Sequence, residues 1–223
     1  MKKHLKLISS PRTWHLPRKK NVFITRPRPG AHAFSAGLPL TVILRDSLQK
    51  AATAREVKKV LHANEVLVDG KRRKDHRYLA GLFDVLSFAN EHYRITLDNK
   101  GRLLVKKIDD KEKNGKVCKI VGKTVLKGNK IQYQLHDGKT LLLEKQANVG
   151  DSVVLEFPNK VKEILPLKEK MHIFLTRGKY AGTSGVLKSI SGTQAIFTKD
   201  GKDIETAKKY LFVVGTKGAV MNV

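Results

Sequence analysis

The sequence predicts an α+β protein of several small domains, and three features support this fold class. Helical spacing of apolar residues is confined to residues 40–61. Beyond residue 95, short β-branched stretches alternate with Gly, Asn and Asp turn signals. Residues 1–37 hold four of the seven prolines and no acidic residue, which predicts an extended segment. We therefore predict a basic N-terminal extension (1–37), a small α/β module of two helices plus a hairpin (38–95), a central small β-barrel-like domain (96–167) and a C-terminal β-barrel (168–223).

The net charge of the chain indicates its class of partner. Lys and Arg number 45 against 20 Asp and Glu, so the 223 residues carry a formal charge of +25. A charge of this size predicts a polyanionic partner, most often nucleic acid. Aromatic residues make up only 6% of the chain, so we expect phosphate contacts to dominate over the stacking of many bases.

The sequence disfavours several other classes of protein. The single cysteine, Cys118, excludes a disulfide framework and a cysteine-rich zinc site, and it fits a reducing compartment. No apolar stretch reaches the roughly 18 residues of a transmembrane helix. The run Leu5-Lys6-Leu7-Ile8 is shorter than a signal-peptide core.

Enzyme signatures are also missing from the sequence. Two Gly-Lys-Thr sequences, at 122–124 and 138–140, resemble a phosphate-binding loop, but Val117 and Tyr133 stand where that loop requires its first glycine. The eight histidines show no metal-ligand spacing, and no G-x-S-x-G elbow occurs. A single acid such as Asp84 stays open as a catalytic group, although a surface or capping role is far commoner. We predict no catalytic residue, no metal site and no cofactor.

Residues 1–37 form a basic arm. The sequence Arg26-Pro-Arg-Pro-Gly30 must be extended, and we expect the arm to be disordered in isolation and to become ordered against RNA. Its candidate anchors are Trp14, Phe23 and Phe34; for Trp14, packing against protein is favoured over stacking on a base. The alternative for the whole arm is a solubilising tail. The candidate RNA-binding residues here are Lys2, Lys3, Lys6, Arg12, Trp14, Arg18, Lys19, Lys20, Arg26 and Arg28.

Two short helices are predicted after the arm. The first starts near Pro39, which suits a first turn because its missing N–H would be unpaired there anyway. The second starts at Thr53-Ala-Arg-Glu56, a capping box in which Thr53 accepts from the N–H of Glu56 and Glu56 reaches back to the N–H of Thr53. Val57, Val60 and Leu61 then form its apolar face, and Asn64 is its predicted end.

A basic hairpin follows the second helix. Glu65–Val68 reads as a short strand, and Asp69-Gly70 is a strong hairpin turn signal. Few residues join the basic helix face to the basic strand, so a compact fold brings both onto one surface suited to phosphates. The alternative is that these charges form only a solvated face. The candidate RNA-binding residues here are Arg45, Arg55, Lys58, Lys59, Lys71, Arg72, Arg73, Lys74 and Arg77.

Short strands are predicted through the rest of the chain. Two complete the module, over 82–88 and 92–98. The central strands are predicted at 102–108, 117–125, 131–135, 140–143, 152–157 and 161–165. The C-terminal domain has predicted strands at 172–176 and 186–190. Between them lies a Gly-rich basic loop, 177–185, whose candidate RNA contacts are Arg177, Lys179 and Tyr180. Its glycines are read as requirements of the fold and not as ligands.

These residues resemble two known modules and one family. Residues 38–77 resemble the S-four type RNA-binding module, a two-helix-plus-hairpin unit of ribosomal proteins, tRNA synthetases and pseudouridine synthases. The loop 177–185 with Val186 resembles the KOW motif of SH3-like β-barrels. Further stretches match, in order, the small-subunit ribosomal protein family S-four-e of archaea and eukaryotes: 4–6, 10–14, 26–30, 38–40, 44–46, 80–85 and 100–102. The chain ends soon after Phe212-Val-Val-Gly215, which is similar to archaeal members.

The resemblance implies a function. It implies a structural constituent of the small ribosomal subunit that binds ribosomal RNA through arm, module and KOW loop and supports translation in the cytoplasm. The implied partners are small-subunit ribosomal RNA and neighbouring ribosomal proteins, without a membrane or a small-molecule substrate. The rival hypothesis is a KOW-bearing accessory factor in transcription or RNA modification. A pseudouridine synthase shares the module but requires a catalytic domain that the lysine-rich remainder does not resemble.

Overall fold

A computed structural model describes residues 4–128, 130–143, 146–158, 160–216 and 218. Contacts divide the chain into two compact units. The first contains the residues up to Thr96 together with Arg102–Asn114, and the second contains Leu97–Gly101 and the residues from Gly115 onward. Within the described ranges, no helix is long and apolar enough to span a bilayer.

The helices of the first unit begin where the sequence predicts. Helix α1 is a turn over Leu40–Val42 that follows Pro39 and continues as a π-helical turn over Ile43–Ser47. Helix α2 spans Ala54–Ala63 and ends at Asn64. Thr53 Oγ1 accepts a hydrogen bond from the Glu56 N–H at 3.2 Å, as predicted. The return bond differs from the prediction, because Glu56 accepts from the N–H of Ala52 at 2.8 Å.

The first unit contains a five-stranded and a two-stranded antiparallel sheet. The five strands lie in the order β3-β2-β5-β6-β7, and β1 pairs with β4. The bounds are β1 (Gly37–Pro39), β2 (Leu67–Val68), β3 (Lys71–Arg72), β4 (Leu79–Gly81), β5 (Val85–Phe88), β6 (Glu91–Leu97) and β7 (Leu103–Ile108).

Two strand predictions for this unit need correction. The predicted strand at 82–88 is shorter, since Phe83 has a φ of 66°, which breaks extended structure before β5 begins. The strand predicted at 102–108 as part of the central domain instead pairs with β6 as the edge of the first sheet. β6 ends at Leu97 and β7 begins at Leu103, so a short turn joins them as a hairpin that the boundary predicted at residue 96 divides.

The basic arm is packed, which differs from the expected disorder. Leu5, Leu7, Trp14 and Ile24 are at most 8% exposed. The backbone of the arm is hydrogen-bonded to the rest of the first unit, because Leu103 N–H donates to Thr13 at 2.7 Å and Arg28 N–H donates to Arg77 at 3.0 Å. The charge and proline content predicted too little apolar surface for this segment to pack. The four apolar side chains supply that surface.

The second unit is built from two five-stranded antiparallel sheets. Their strand orders are β10-β9-β8-β11-β12 and β16-β15-β14-β13-β17. The first set is β8 (Gly115–Val125), β9 (Ile131–Leu135), β10 (Thr140–Leu142), β11 (Ser152–Glu156) and β12 (Lys160–Leu165). The second set is β13 (His172–Leu175), β14 (Ser184–Ser191), β15 (Gln194–Lys199), β16 (Lys202–Ala207) and β17 (Leu211–Gly215). The predicted strands at 117–125, 131–135, 140–143, 152–157, 161–165, 172–176 and 186–190 all lie within one or two residues of these bounds.

A lysine links the two sheets of the second unit. Lys119 on β8 donates its Nζ to the carbonyl oxygens of Lys209 and Leu211 at 2.9 and 2.6 Å. Burial lowers the pKa of Lys119 to about 8. The core of the first of these sheets includes Cys118, Tyr133 and Val153.

Candidate nucleic-acid interface

The exposed face of α2 carries its positive charges. The capping box fixes where the helix begins, so the 3.6-residue period places Val57 and Leu61 in the core. The exposed residues of the helix include Arg55, Lys58, Lys59 and His62, with Glu56 and Ala63 exposed beside them. This division follows the helical period in the sequence and agrees with the prediction.

The hairpin that follows α2 has the predicted turn. Asp69 and Gly70 both have positive φ, at 51° and 72°, as a two-residue type I′ turn requires. Asp69 is 8% exposed, and its Oδ1 accepts from the N–H of Val85 at 3.1 Å, which fixes the turn to β5. The residues beyond the turn, Lys71, Arg72 and Lys74, are exposed.

The helix face and the hairpin lie on one surface. Arg72 Nη2 donates to the carbonyl oxygen of His62 at 3.3 Å, which joins β3 to the last turn of α2. We define the α2–hairpin surface as the exposed cations that this contact brings together: Arg55, Lys58, Lys59, Lys71, Arg72 and Lys74. Burial lowers the pKa of His76, and the positive charge of Lys58 on this surface lowers that pKa further.

Four further candidate arginines also have partners within the protein. The Arg73 guanidinium lies 4.4 Å from the centroid of the Tyr78 ring, and Arg77 Nε donates to the carbonyl oxygen of Arg26 at 2.8 Å. Arg45 pairs with Asp46 at 2.8 Å, and Arg28 pairs with Asp75 at 3.1 Å. These contacts give the four side chains a structural role in the first unit, whatever they bind outside it.

The arm contributes both exposed cations and a buried tryptophan. Lys6, Arg12, Lys19 and Lys20 are exposed, while Lys2 and Lys3 lie outside the described residues. Arg18 is partly buried and donates to the carbonyl oxygens of Ile8 and Pro11 at 3.1 and 3.0 Å. Trp14 is 2% exposed, with its ring 5.6 Å from that of Phe34. Its inclusion among the RNA-binding candidates is therefore corrected, because a buried ring cannot stack on a base.

The C-terminal loop holds its three candidates beside two constrained glycines. Arg177 and Lys179 are exposed, and Tyr180 is partly buried with Lys179 Nζ 5.6 Å from its ring centroid. Gly182 has a φ of +83°, and a Cβ there would lie 2.0 Å from the carbonyl oxygen of Asp98. A Cβ on Gly185 would lie 2.7 Å from the carbonyl oxygen of Thr198. Both glycines are explained by close backbone approach.

The sequence did not indicate a cleft in the first unit. Phe23, Arg26, His76 and Arg77 line it together with His4. In the sequence, His4 and His76 are two of eight scattered histidines, and Phe23 is only a candidate anchor of the arm. No sequence signal identifies the cleft, because its two walls are about 50 residues apart in the chain.

The chain has many relatives of known family. A family model described as Ribosomal family S4e matches residues 89–161, and one described as the RS4NT (NUC023) domain matches residues 1–35. The small ribosomal subunit protein eS4 of Methanocella arvoryzae is 40% identical over 222 residues, which cover 95% of this chain and 94% of that protein. The chain belongs to the ribosomal S4e family.

Other members support the same assignment for this S4e chain. The small ribosomal subunit protein eS4 of Nanoarchaeum equitans is 43% identical over 197 residues, covering 86% of this chain and 84% of that protein. The crystal structure of the 30S ribosomal protein S4e from Thermoplasma acidophilum superposes with a TM-score of 0.73 at 27% identity, covering 81% of this chain and 96% of that one. The predicted family is thus confirmed, and the fold is mostly β with two short helices.

Proposed function

We propose that this chain is a structural constituent of the small ribosomal subunit that binds ribosomal RNA and supports translation in the cytoplasm. Relatives named small ribosomal subunit protein eS4 match nearly its full length, which supports this assignment. The observation that carries the RNA-binding role is the contact between Arg72 and His62, because it joins the α2 and hairpin cations on one surface. Crowded phosphates are neutralised there with release of counterions.

The other candidate contacts extend this proposal. The exposed arm residues Lys6, Arg12, Lys19 and Lys20 and the loop residues Arg177 and Lys179 supply further phosphate contacts. The sheet β13–β17 is assigned as a KOW-type, SH3-like barrel, supported by Gly182 and Gly185 in the loop before β14. The predicted divisions 1–37, 38–95, 96–167 and 168–223 stay part of this proposal, except that Leu103–Ile108 belongs to the sheet of the first unit. We assign no catalytic activity, in keeping with a family of ribosomal structural proteins.

The salt dependence of RNA binding tests the α2–hairpin surface. The variant Lys71→Ala/Arg72→Ala/Lys74→Ala removes three exposed charges and spares Arg73, which packs on Tyr78. Measured by filter binding to small-subunit ribosomal RNA, the slope of log affinity against log salt is expected to fall by roughly 0.7–0.9 per lost phosphate contact.

A matched control separates the effect of this surface on RNA binding from the effect of net charge. Lys123→Ala/Lys160→Ala/Lys162→Ala removes three exposed lysines from the second unit and makes the same change in charge. We expect a much smaller change of slope for this variant. Equal slopes for the two triple variants would show that the α2–hairpin surface has no special part in binding.

Sedimentation distinguishes a subunit constituent from the accessory factor. A constituent is expected to travel one-to-one with the small subunit through a high-salt gradient, followed by quantitative mass spectrometry. Release to the top of the gradient would instead support a factor that exchanges on and off its complex.

A further inference from the structure

We propose that the cleft lined by Phe23, Arg26, His76 and Arg77 binds one unpaired nucleotide of RNA, with its phosphate on the arginines and its base against Phe23. This inference rests on the proposed RNA-binding function and assigns a second, chemically different site. The cavity has a volume of about 210 Å³. That is below the roughly 300–1,000 Å³ of sites that enclose a drug-sized ligand, so it suits part of one nucleotide and not a helix.

The walls of the cleft are fixed by backbone hydrogen bonds. Two stretches of the arm run antiparallel, with Leu7 N–H donating to Val22 at 2.9 Å and Ile24 N–H donating to Leu5 at 3.0 Å. Leu5 and Ile24 are each 8% exposed and form the apolar base of this part of the arm. The cleft therefore exists before a ligand binds, which lowers the ordering cost of binding.

The arm is also held to the opposite wall. Arg28 N–H donates to the carbonyl oxygen of Arg77 at 3.0 Å, and Arg77 Nε donates back to the carbonyl oxygen of Arg26 at 2.8 Å. This reciprocal pair places the Arg26 and Arg77 side chains at the same cleft although they are 51 residues apart.

The charged groups of the cleft favour an anion. Arg77 bonds within the protein through Nε, and Arg26 makes a long 3.5 Å contact from Nη1 to the carbonyl oxygen of His4. Terminal guanidinium nitrogens of both arginines therefore remain as donors for phosphate oxygens. The lining contains no carboxylate. The neighbouring Asp75 pairs with Arg28 at 3.1 Å, accepts from the backbone N–H of Arg77 at 2.9 Å and lies 3.6 Å from His76 Nδ1.

The aromatic groups favour a base. Phe23 is 57% exposed, and the His4 ring lies beside it with 6.0 Å between centroids. An exposed aromatic ring next to arginines is the arrangement on which proteins stack unpaired bases. Burial lowers the pKa of His76, which favours a neutral imidazole able to hydrogen-bond to the polar edge of a base.

Substitution of Phe23 tests the stacking part of the proposal. Full-length protein is titrated with a labelled single-stranded RNA and with a duplex of equal length. Phe23→Leu keeps apolar bulk but removes the aromatic face, and it is expected to weaken single-strand binding about 5- to 100-fold while leaving duplex binding unchanged. Phe34→Leu is the matched control, because Phe34 is an exposed aromatic residue of the arm outside the cleft.

The two proposals fail in distinguishable ways. If Phe23→Leu binds single strands like the wild type, the cleft is not a nucleotide site, while the triple hairpin variant still tests the RNA-binding function by itself. If the wild type binds neither RNA, the proposed function fails together with this inference. A photo-reactive phenylalanine at position 23, placed in assembled small subunits, should cross-link to RNA; cross-linking to a neighbouring protein instead would overturn the inference in favour of a protein contact.

Discussion

At the scale of single residues, the second unit contains a buried ion pair. Lys116 Nζ lies 2.7 Å from Asp137 Oδ2, and the two side chains are 0% and 2% exposed. Burial by itself raises the pKa of Asp137, but the charge of Lys116 and its hydrogen bond outweigh burial and hold this pKa below its ordinary value. Asp137 therefore stays ionised in the folded protein at a pH where the unfolded chain takes up a proton.

Breaking this pair is expected to destabilise the second unit. Asp137→Asn removes the negative charge beside the buried Lys116 ammonium and should cost about 3–5 kcal/mol in the free energy of unfolding. Stability from Asp137 is present above its unfolded pKa of about 4 and is lost as pH falls through its lower folded pKa. Urea unfolding at pH 7 and at pH 3 should therefore show a smaller loss for the variant at pH 3.

A double substitution provides the control for the ion pair. Lys116→Met/Asp137→Leu removes both charges and is expected to recover much of the loss, because no buried charge remains. A double variant less stable than Asp137→Asn would show that packing, and not charge, dominates at this position.

Alanine substitutions at two glycines separate the stability cost of a left-handed φ from the cost of steric overlap. Gly182 and Gly192 both have positive φ, at 83° and 58°, but a Cβ on Gly192 would meet nothing within 4 Å. Gly192→Ala should cost about 1–2 kcal/mol from backbone conformation. Gly182→Ala should cost clearly more, because its Cβ also overlaps the backbone of Asp98. Equal losses in thermal unfolding would contradict the close approach.

At the scale of elements, the N-terminal segment is the element whose role changed most between sequence and structure. Its charges and prolines indicated a free arm, whereas its apolar residues pack into the first unit. Trp14 is 2% exposed, and it forms an isolated bridge with Leu103 at the start of β7. The segment therefore contributes to folding as well as to the charged surface.

The fluorescence of Trp14 reports on this packing, since it is the single tryptophan of the chain. In RNA-free protein we expect blue-shifted emission that acrylamide quenches poorly, with a shift to the red on unfolding. Trp14→Phe should lower stability far less than Trp14→Ala, which should cost about 3–5 kcal/mol. Solvent-like emission from folded protein would show that the arm is detached without RNA, as its composition alone suggested.

At the scale of the whole molecule, the charge of +25 has two opposite consequences. Self-repulsion destabilises the compact RNA-free protein, and salt screens that repulsion. Salt also weakens binding to RNA, because the release of counterions into a more concentrated salt solution gains less entropy. The same ions therefore stabilise the free protein and destabilise its complex.

Melting experiments can separate these two effects. Raising NaCl from about 0.05 to 0.5 M, which shortens the screening length below about 10 Å, should raise the melting temperature of the free chain. The affinity for ribosomal RNA should fall over the same range. A melting temperature of the free protein that falls with NaCl would show that attractive ion pairs outweigh the self-repulsion.

Much of the candidate site could be predicted from local sequence. The N-cap at Thr53, the face of α2 and the Asp69-Gly70 turn depend on neighbouring residues only, and each is found where predicted. The ribosomal family also follows from motifs spread along the chain. By contrast, the sequence predicts Arg73, Arg77, Lys71 and Lys74 alike as RNA-binding residues. In the structure, Arg73 and Arg77 have partners within the protein.

The tertiary structure decided the features that depend on distant segments. Only the fold shows that the arm packs, that Lys116 meets Asp137 and that Arg26 meets Arg77 at a cleft. The physical reason is the range of the interactions. Helix periods, caps and turns are set within a few residues, whereas burial and strand pairing depend on which remote surfaces exclude water together.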